Sequence, residues 1–568
     1  MSAPGPRGAQ LGTALRRLAL CALAPLLANA APAPDPVRGQ QLYLEGRVAG
    51  EAPITATTQN DIPFSGAQIS CVSCHRSSGY GGSEGGNYVL PITGPTLFHP
   101  RELDRTKIFN KLFKENQTSK FDARLRSPGM RAAYTDSTLA GAIRTGVDPA
   151  GRVLNRLMPR YQLSERDMGD LIAYLRTLSA QPDAGVDSKK LYLATVVSAQ
   201  VDPAQRAAML ETMRRFVDWH NLQADGDRQH PNFSPNYHST WIGTYRNWEL
   251  DTWELNGSSD TWPAQLAAYY AKKPVFAVVS GMVAGSWAPV HQFCEREKLP
   301  CLYPHTDLPG MDPKPAYSIY FTRGLALEAD VVSRHLLERR GEAGVTRVRQ
   351  LYVVGAGGSV PANVVAARLA GAPSLVLESQ SLGSAPALLA ELDKLAGGDG
   401  AETLVLWPGP HAALVTAWLA RHAGLAKRIY LPSAALDTVL ALDSAVADER
   451  LLFSFPYELP DVTHPRAFVV RAWMRSRGMD IAYPRLQFDT YFAMTMLQFG
   501  MEEIIGVFSR DYFMESLEHL AESNLNPGTY PSMSLGPGQR FASRGAHIVR
   551  LTGNKDSVIA PLSAWIVP

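Results

Sequence analysis

The sequence is poor in cysteine, with five among 568 residues. That scarcity excludes a disulfide-knit scaffold, the usual solution for small exported domains with too little core. Long apolar runs are missing as well. The stretch from Leu18 to Leu27 is too short to cross a bilayer, and no later one approaches that length. Excess charge is absent: 55 Lys and Arg face 53 Asp and Glu, a net of +2. This balance argues against a nucleic-acid partner. Signatures of catalysis are lacking too, with no His-Glu-x-x-His, no P-loop and no nucleophile elbow, so no enzyme is expected. What is present, 45% hydrophobic and 19% charged residues, is an ordinary globular composition. The length implies two or three domains.

The first thirty residues read as a leader. Arg7, Arg16 and Arg17 precede the apolar stretch, and Ala28-Asn29-Ala30 follows it. A positive start, a short apolar run and a small-x-small site make a signal peptide over residues 1–30, cleaved near Ala30. The mature chain is therefore expected in the periplasm, without a transmembrane segment. Cleavage removes Cys21 and three arginines, leaving four cysteines and a net charge of −1. Residues 31–180 carry +4 and the remainder −5. The basic excess lies between Arg101 and Arg131, which suits an acidic partner surface.

Two of the four cysteines stand in Cys71-Val72-Ser73-Cys74-His75. In this spacing two thiols add across haem vinyl groups, and the adjacent imidazole takes the iron from below. A zinc site would need a second ligand pair nearby, and a redox dithiol would need a βαβ setting. The motif has neither, so one covalent haem c is expected, with His75 as proximal ligand. Met130, Met158 and Met168 are the candidates for the sixth ligand. Met168 falls on the apolar face of a helix over Leu163–Leu178, capped by Ser164 and shared with Leu171, Ile172, Leu175 and Leu178. Met130 lies in a turn. Met158, in Leu157-Met158-Pro159-Arg160-Tyr161 just before that helix, is the favoured ligand.

Residues 36–182 resemble the class I cytochrome c domains. The resemblance rests on a first helix over Arg38–Leu44, the haem motif, Thr93-Gly94-Pro95-Thr96-Leu97, Met158-Pro159 and the closing helix. It implies an all-α domain in which a proline carbonyl, here that of Pro95, accepts the proximal imidazole N–H. Two departures stand out: a long segment between the first helix and the motif, and a long basic one after Pro95. The glycine-rich stretch Gly79–Gly86 is expected to be loop. A His/Met-ligated haem is saturated, so it suits electron transfer rather than oxygen chemistry.

Residues 183–188 read as a linker, since Gln181-Pro182-Asp183-Ala184-Gly185 is turn-like. Beyond it, β-rich runs alternate with helical patterns: Leu191–Val197, Trp248–Leu255, Val275–Val279, Gln350–Val354, Thr403–Trp407, Arg428–Leu431 and Leu451–Phe455. Asp202-Pro203 opens the first helix as cap and first turn. Such alternation predicts parallel sheets covered by helices, in two lobes given the length. Residues 189–568 resemble the type I periplasmic binding proteins of the leucine/isoleucine/valine-binding branch. The resemblance is carried by order and spacing, through Val278-Val279-Ser280-Gly281, Gly285-Ser286, Pro300 to Thr306, Tyr317 to Gly324 and Gly424 to Ser433. It implies ligand contacts at strand ends, from Ser280, Ser286, His305 and Thr306 on one lobe and Gly357, Ser359 and His411 on the other. Amino-acid binders of that family place an acid after the strand resembling Arg428–Leu431. Here Leu431-Pro432-Ser433-Ala434-Ala435 follows, so an organic acid, alcohol or aromatic ligand is expected instead. Trp241, Tyr245, Trp248, Trp253 and Trp262 serve either core packing or a site. Cys294 and Cys301 are a possible disulfide in an oxidising compartment.

These features imply a periplasmic monohaem electron carrier with a fused small-molecule-binding domain. Its redox partner would be a periplasmic dehydrogenase or oxidase, and it could serve as a subunit of such a system. The alternative is a solute receptor for a transporter or sensor, with the haem domain accessory.

Overall fold

The computed structural model describes residues 1, 33–58, 61–84, 87–101, 130–229, 246–312, 316–340, 342, 346–372, 374–397, 401–422, 424–440, 448–459, 465–504, 507–522, 529–536, 538–552 and 559–568. The expected leader, residues 1–30 with Cys21, lies outside them apart from its first residue. So do Trp241, Tyr245 and most of the basic segment. The chain forms two compact units, residues 1–180 and 181–568. Among the described residues no helix is long and apolar enough to cross a membrane.

The first unit is built on helices α1 (Pro36–Glu45), α2 (Val72–His75), α3 (Gly94–Phe98), α4 (Asp136–Thr145) and α5 (Glu165–Thr177). Asp35 caps α1 and Ser164 caps α5, each through a side-chain oxygen on a free backbone N–H. α1 and α5 cross closely because Gly39 has no side chain. A Cβ there would stand 2.0 Å from the Asp170 carbonyl oxygen. Arg38 locks the crossing through ion pairs to Asp167 and Asp170, the latter carboxylate being almost fully buried. Leu42, Tyr43, Met168, Leu171, Ile172 and Leu175 fill the core between them.

The segment between α1 and the Cys71 motif is structured. Its strands β1 (Thr55–Thr57) and β2 (Pro63–Ser65) join β5 (Arg160–Gln162) in an antiparallel sheet of order β2-β1-β5. The glycine-rich stretch is not wholly loop: β3 (Gly82–Glu84) pairs with β4 (Asn87–Val89). Backbone pairing places a strand there despite its glycines, because the hairpin partner supplies the hydrogen bonds. The stems of the basic segment are pinned by mutual backbone bonds between Arg101 and Arg131. The Arg131 guanidinium, buried, donates to the carbonyls of Thr96, Leu97 and Ala132 and so closes the end of α3.

The second unit is α/β and two-lobed. One lobe has five parallel strands: β6 (Lys190–Ser198), β7 (Asn247–Leu255), β8 (Ala277–Val279), β9 (Cys301–Leu302) and β10 (Ser318–Ile319), in order β10-β9-β8-β6-β7. The other has β11 (Arg347–Val353), β12 (Val376–Leu382), β13 (Ala401–Trp407), β14 (Ala426–Leu431) and β15 (Leu451–Phe455) in order β12-β11-β13-β14-β15, all parallel. Two antiparallel strands, β16 (His547–Leu551) and β17 (Ile559–Pro561), complete that sheet. Helix α6 (Pro203–Gln229) follows β6, and Asp202 accepts from the Gln205 N–H at its start. Trp248, Trp253 and Trp262 are buried in the core. Asp183, assigned to a linker by sequence, is stitched into this unit: its N–H donates to the Phe508 carbonyl and its carboxylate accepts from the Arg510 N–H.

Candidate functional site

Cys71 caps the single turn α2, which carries Cys74 and His75. Neither cysteine is in a disulfide. Burial pushes the Cys71 thiol up to about 12, so it is protonated at neutral pH. Tyr43 donates to the Arg76 carbonyl at 2.6 Å and Tyr161 to that of Ile69 at 2.6 Å, which fixes both ends of the motif. The His75 ring nitrogen Nδ1 lies 2.9 Å from the Leu90 carbonyl oxygen. An oxygen there can only accept, so Nδ1 carries the proton and Nε2 the lone pair. Burial lowers the imidazole to about 4, against a smaller opposing effect of that carbonyl, so the ring is neutral at physiological pH.

The partner of His75 corrects the expectation for Pro95. Leu90, at the exit of β4, supplies the carbonyl. Pro95 is exposed and opens α3, where the Thr93 hydroxyl accepts from the Thr96 N–H. Gly94 beside it permits a close approach to α5, since a Cβ would stand 2.3 Å from the Arg176 carbonyl oxygen. The Thr93–Leu97 stretch thus caps and packs a helix, and the β3–β4 hairpin, hidden in a glycine-rich sequence, delivers the acceptor.

The three methionines differ sharply. Met130 is exposed and Met168 is buried in the core. Met158 is half-buried in a loop between α4 and β5, with its N–H on the Asn155 carbonyl. Among the described residues no three His, Cys, Asp or Glu side chains gather to hold a metal ion. The donor set of the motif, two thiols one helical turn apart beside a neutral imidazole with its Nε2 lone pair uncommitted, fits covalent haem c.

In the second unit the strand ends carry the candidates. Ser280 follows β8 and Tyr303 follows β9, and both non-glycine residues adopt the left-handed region, at φ of 55° and 53°. Such strain at adjacent strand ends is a mark of functional loops. Ser280 is fully buried and its hydroxyl has no hydrogen-bond partner. His305 is anchored, with Nε2 2.9 Å from the Thr490 hydroxyl of helix α15 (Pro484–Glu503), and burial lowers it to about 3. The Ser286 and Thr306 hydroxyls accept from the N–H groups of Ala288 and Leu308, as ordinary turn residues do. Gly357 turns left-handed before helix α10 (Ser359–Leu369), which Ser359 opens, and His411 sits in the single turn before helix α12 (Ala412–Leu419).

Several residues had no sequence signal. Glu328, in helix α9 (Leu325–Glu338), is buried and accepts from the Ser433 N–H at 2.7 Å, the Ser433 hydroxyl at 2.8 Å and the Ser454 hydroxyl. An acid therefore does stand behind the strand Ala426–Leu431, supplied from another element. Burial raises it to about 7. Asp307 is reached by solvent yet enclosed enough that its carboxyl is also raised, with Arg485 opposing and Asp437 adding to the shift. Arg485 of α15 makes a two-pronged pair, 2.9 and 3.2 Å, with Asp437 of helix α13 (Ser433–Leu440), joining the two lobes. Its guanidinium lies 3.8 Å from the Tyr457 ring centroid. Cys294 and Cys301, a possible disulfide by sequence, are two free buried thiols. They lie within hydrogen-bonding reach, and burial raises the Cys294 thiol strongly.

The two units thus define a haem-motif helical domain followed by an α/β fold of parallel sheets. Residues 64–179 match the family model of cytochrome c, so the chain carries a cytochrome c domain, whose family binds haem covalently. No curated protein matches the chain. Similar solved structures include a branched-chain amino acid ABC transporter protein from Thermus thermophilus with bound valine, at 11% identity and a TM-score of 0.48, covering 67% of this chain and 98% of that one. A fatty acid ABC transporter substrate-binding protein from Thermomonospora curvata gives 15%, 0.49, 68% and 95%. A leucine-binding protein from Thermotoga maritima gives 14%, 0.47, 66% and 99%.

Proposed function

We propose that the chain is a periplasmic monohaem c-type cytochrome that carries single electrons and has a fused small-molecule-binding domain. Cys71 and Cys74 would hold the haem, with His75 and Met158 as axial ligands. The haem supplies a one-electron couple, and a thioether ligand raises its potential. The carrying observation is the neutral His75 ring, oriented by the Leu90 carbonyl with Nε2 left for the iron. Electrons would pass to or from a periplasmic dehydrogenase or oxidase. Voltammetry of the mature protein tests this: a reversible one-electron wave is expected, and its absence defeats the reading. Cys71→Ala with Cys74→Ala should give a colourless protein, and retained colour would refute the attachment.

The second reading, a solute receptor with an accessory haem, is favoured by the strained Ser280 with its unpartnered buried hydroxyl. A ligand that raises the melting temperature without changing the rate of haem reduction would select it.

A further inference from the structure

Met158 sits in a loop that few bonds hold. Its N–H bonds the Asn155 carbonyl at 3.1 Å, and the Leu157 N–H bonds the Asn155 side chain at 3.0 Å. One residue, Arg160, bonds both ends of the loop. The guanidinium of Arg160 donates through Nη1 to the Met158 carbonyl at 2.6 Å and through Nη2 to the Leu154 carbonyl at 2.8 Å. Leu154 is tied in turn to the end of α4, its N–H on the Gly146 carbonyl at 2.7 Å. Gly146 makes room for the guanidinium, because a Cβ there would stand 2.0 Å from Arg160 Cζ. The backbone of Arg160 is fixed independently: in β5 it is the register partner of Thr57 in β1. One planar fork therefore fastens both ends of the Leu154–Met158 loop to a sheet built partly from the segment before the haem motif.

We infer that Arg160 is a positioning residue for the sixth ligand: it holds the Met158 loop in the geometry the thioether needs, and the β1–β5 pairing is its foundation. The inference rests on Met158 being that ligand. Two half-buried carbonyls lose their donor when the fork is removed, and the loop then gains conformers in which the sulfur is withdrawn. An exogenous ligand competes with the thioether for the same position, so loop loosening reads out as tighter binding of that ligand.

The test uses the full-length haem-loaded protein and imidazole as the probe. Arg160→Ala should bind imidazole to the oxidised form about tenfold more tightly, as expected for losing a hydrogen bond or two. It should also weaken the long-wavelength absorption band characteristic of a thioether on oxidised haem and lower the reduction potential. Arg160→Lys, with one nitrogen for two carbonyls, should fall between. Gly146→Ala displaces the guanidinium without removing it and should act in the same direction, which keeps the test open if Arg160→Ala does not fold. Native imidazole affinity and band in Arg160→Ala overturn the inference, as does a band lost only in step with helical circular dichroism. Met158→Ala separates the two ideas: if it leaves the band and imidazole affinity unchanged, the ligand assignment itself falls. If it abolishes the band while Arg160→Ala does nothing, only the role of Arg160 falls.

Discussion

Glu328 shows what burial does to a single carboxyl. It accepts hydrogen bonds from Ser433 and Ser454, and burial raises its pKa from 4.5 to about 7. Asp489, also buried, rises from 3.8 to about 7. In both the desolvated charged form is disfavoured. At these two sites the folded state therefore binds protons that the unfolded chain releases between about pH 4 and 7, and the stability they contribute falls as pH rises through that window. The upper limits of their contributions to the fall are about 3 kcal/mol for Glu328 and about 4 kcal/mol for Asp489. Across this range the melting temperature of Glu328→Gln with Asp489→Asn should rise relative to that of the native chain as pH increases. An unchanged slope would refute the assignment. Neither residue was legible in the sequence, since a lone acid in an amphipathic helix looks like any other. The haem motif was legible because its chemistry is contiguous. The partner of His75 was not, because Leu90 reaches it through a hairpin whose pairing no local pattern announces.

Elements with a buried face announced themselves. The stripe of Met168, Leu171, Ile172 and Leu175 in α5 follows the helical period, and all four are buried. The runs Leu191–Val197 and Leu451–Phe455 are strands buried over nearly their whole length, hence largely apolar. Elements at an edge stayed silent. Strand β12, Val-Leu-Glu-Ser-Gln-Ser-Leu, lies at the border of its sheet with none of its residues buried, so its sequence is largely polar. The strands β1, β2 and β5 are three residues each, too short to show a period. The crossing of α1 and α5 depends on one position. Gly39→Val would drive a side chain into the Asp170 carbonyl and should destabilise the first unit by roughly 2–4 kcal/mol, as overpacking and strain do. Unfolding followed at the haem absorbance checks it, and a native midpoint would show that the helices can part.

Across the second unit, the lobes are joined by Arg485 and Asp437 as well as by the chain. Both side chains are partly exposed, at 33% and 52%, so water and salt screen the pair. A double-mutant cycle on Arg485→Ala and Asp437→Ala should return a coupling below about 1 kcal/mol that fades in high salt. A larger, salt-independent value would mean that the contact is sealed from solvent. The division of the chain into a helical and an α/β part was readable from texture alone, because periodicity changes after Ala180. The exact border was not. Gln181 to Gly185 has the composition of a hinge, and composition says nothing of the distant residues that grip it. Asp183 is gripped at its amide by Phe508 and at its carboxylate by Arg510, whose guanidinium also reaches the carbonyls of Ala184 and Val275. Anyone wishing to express the α/β half by itself must therefore start the gene upstream of this residue. A start at Ser188 or later would delete the Ala184 carbonyl from the Arg510 fork and the Asp183 carboxylate from the Arg510 amide, and the product would be a poor guide to what the intact half can bind.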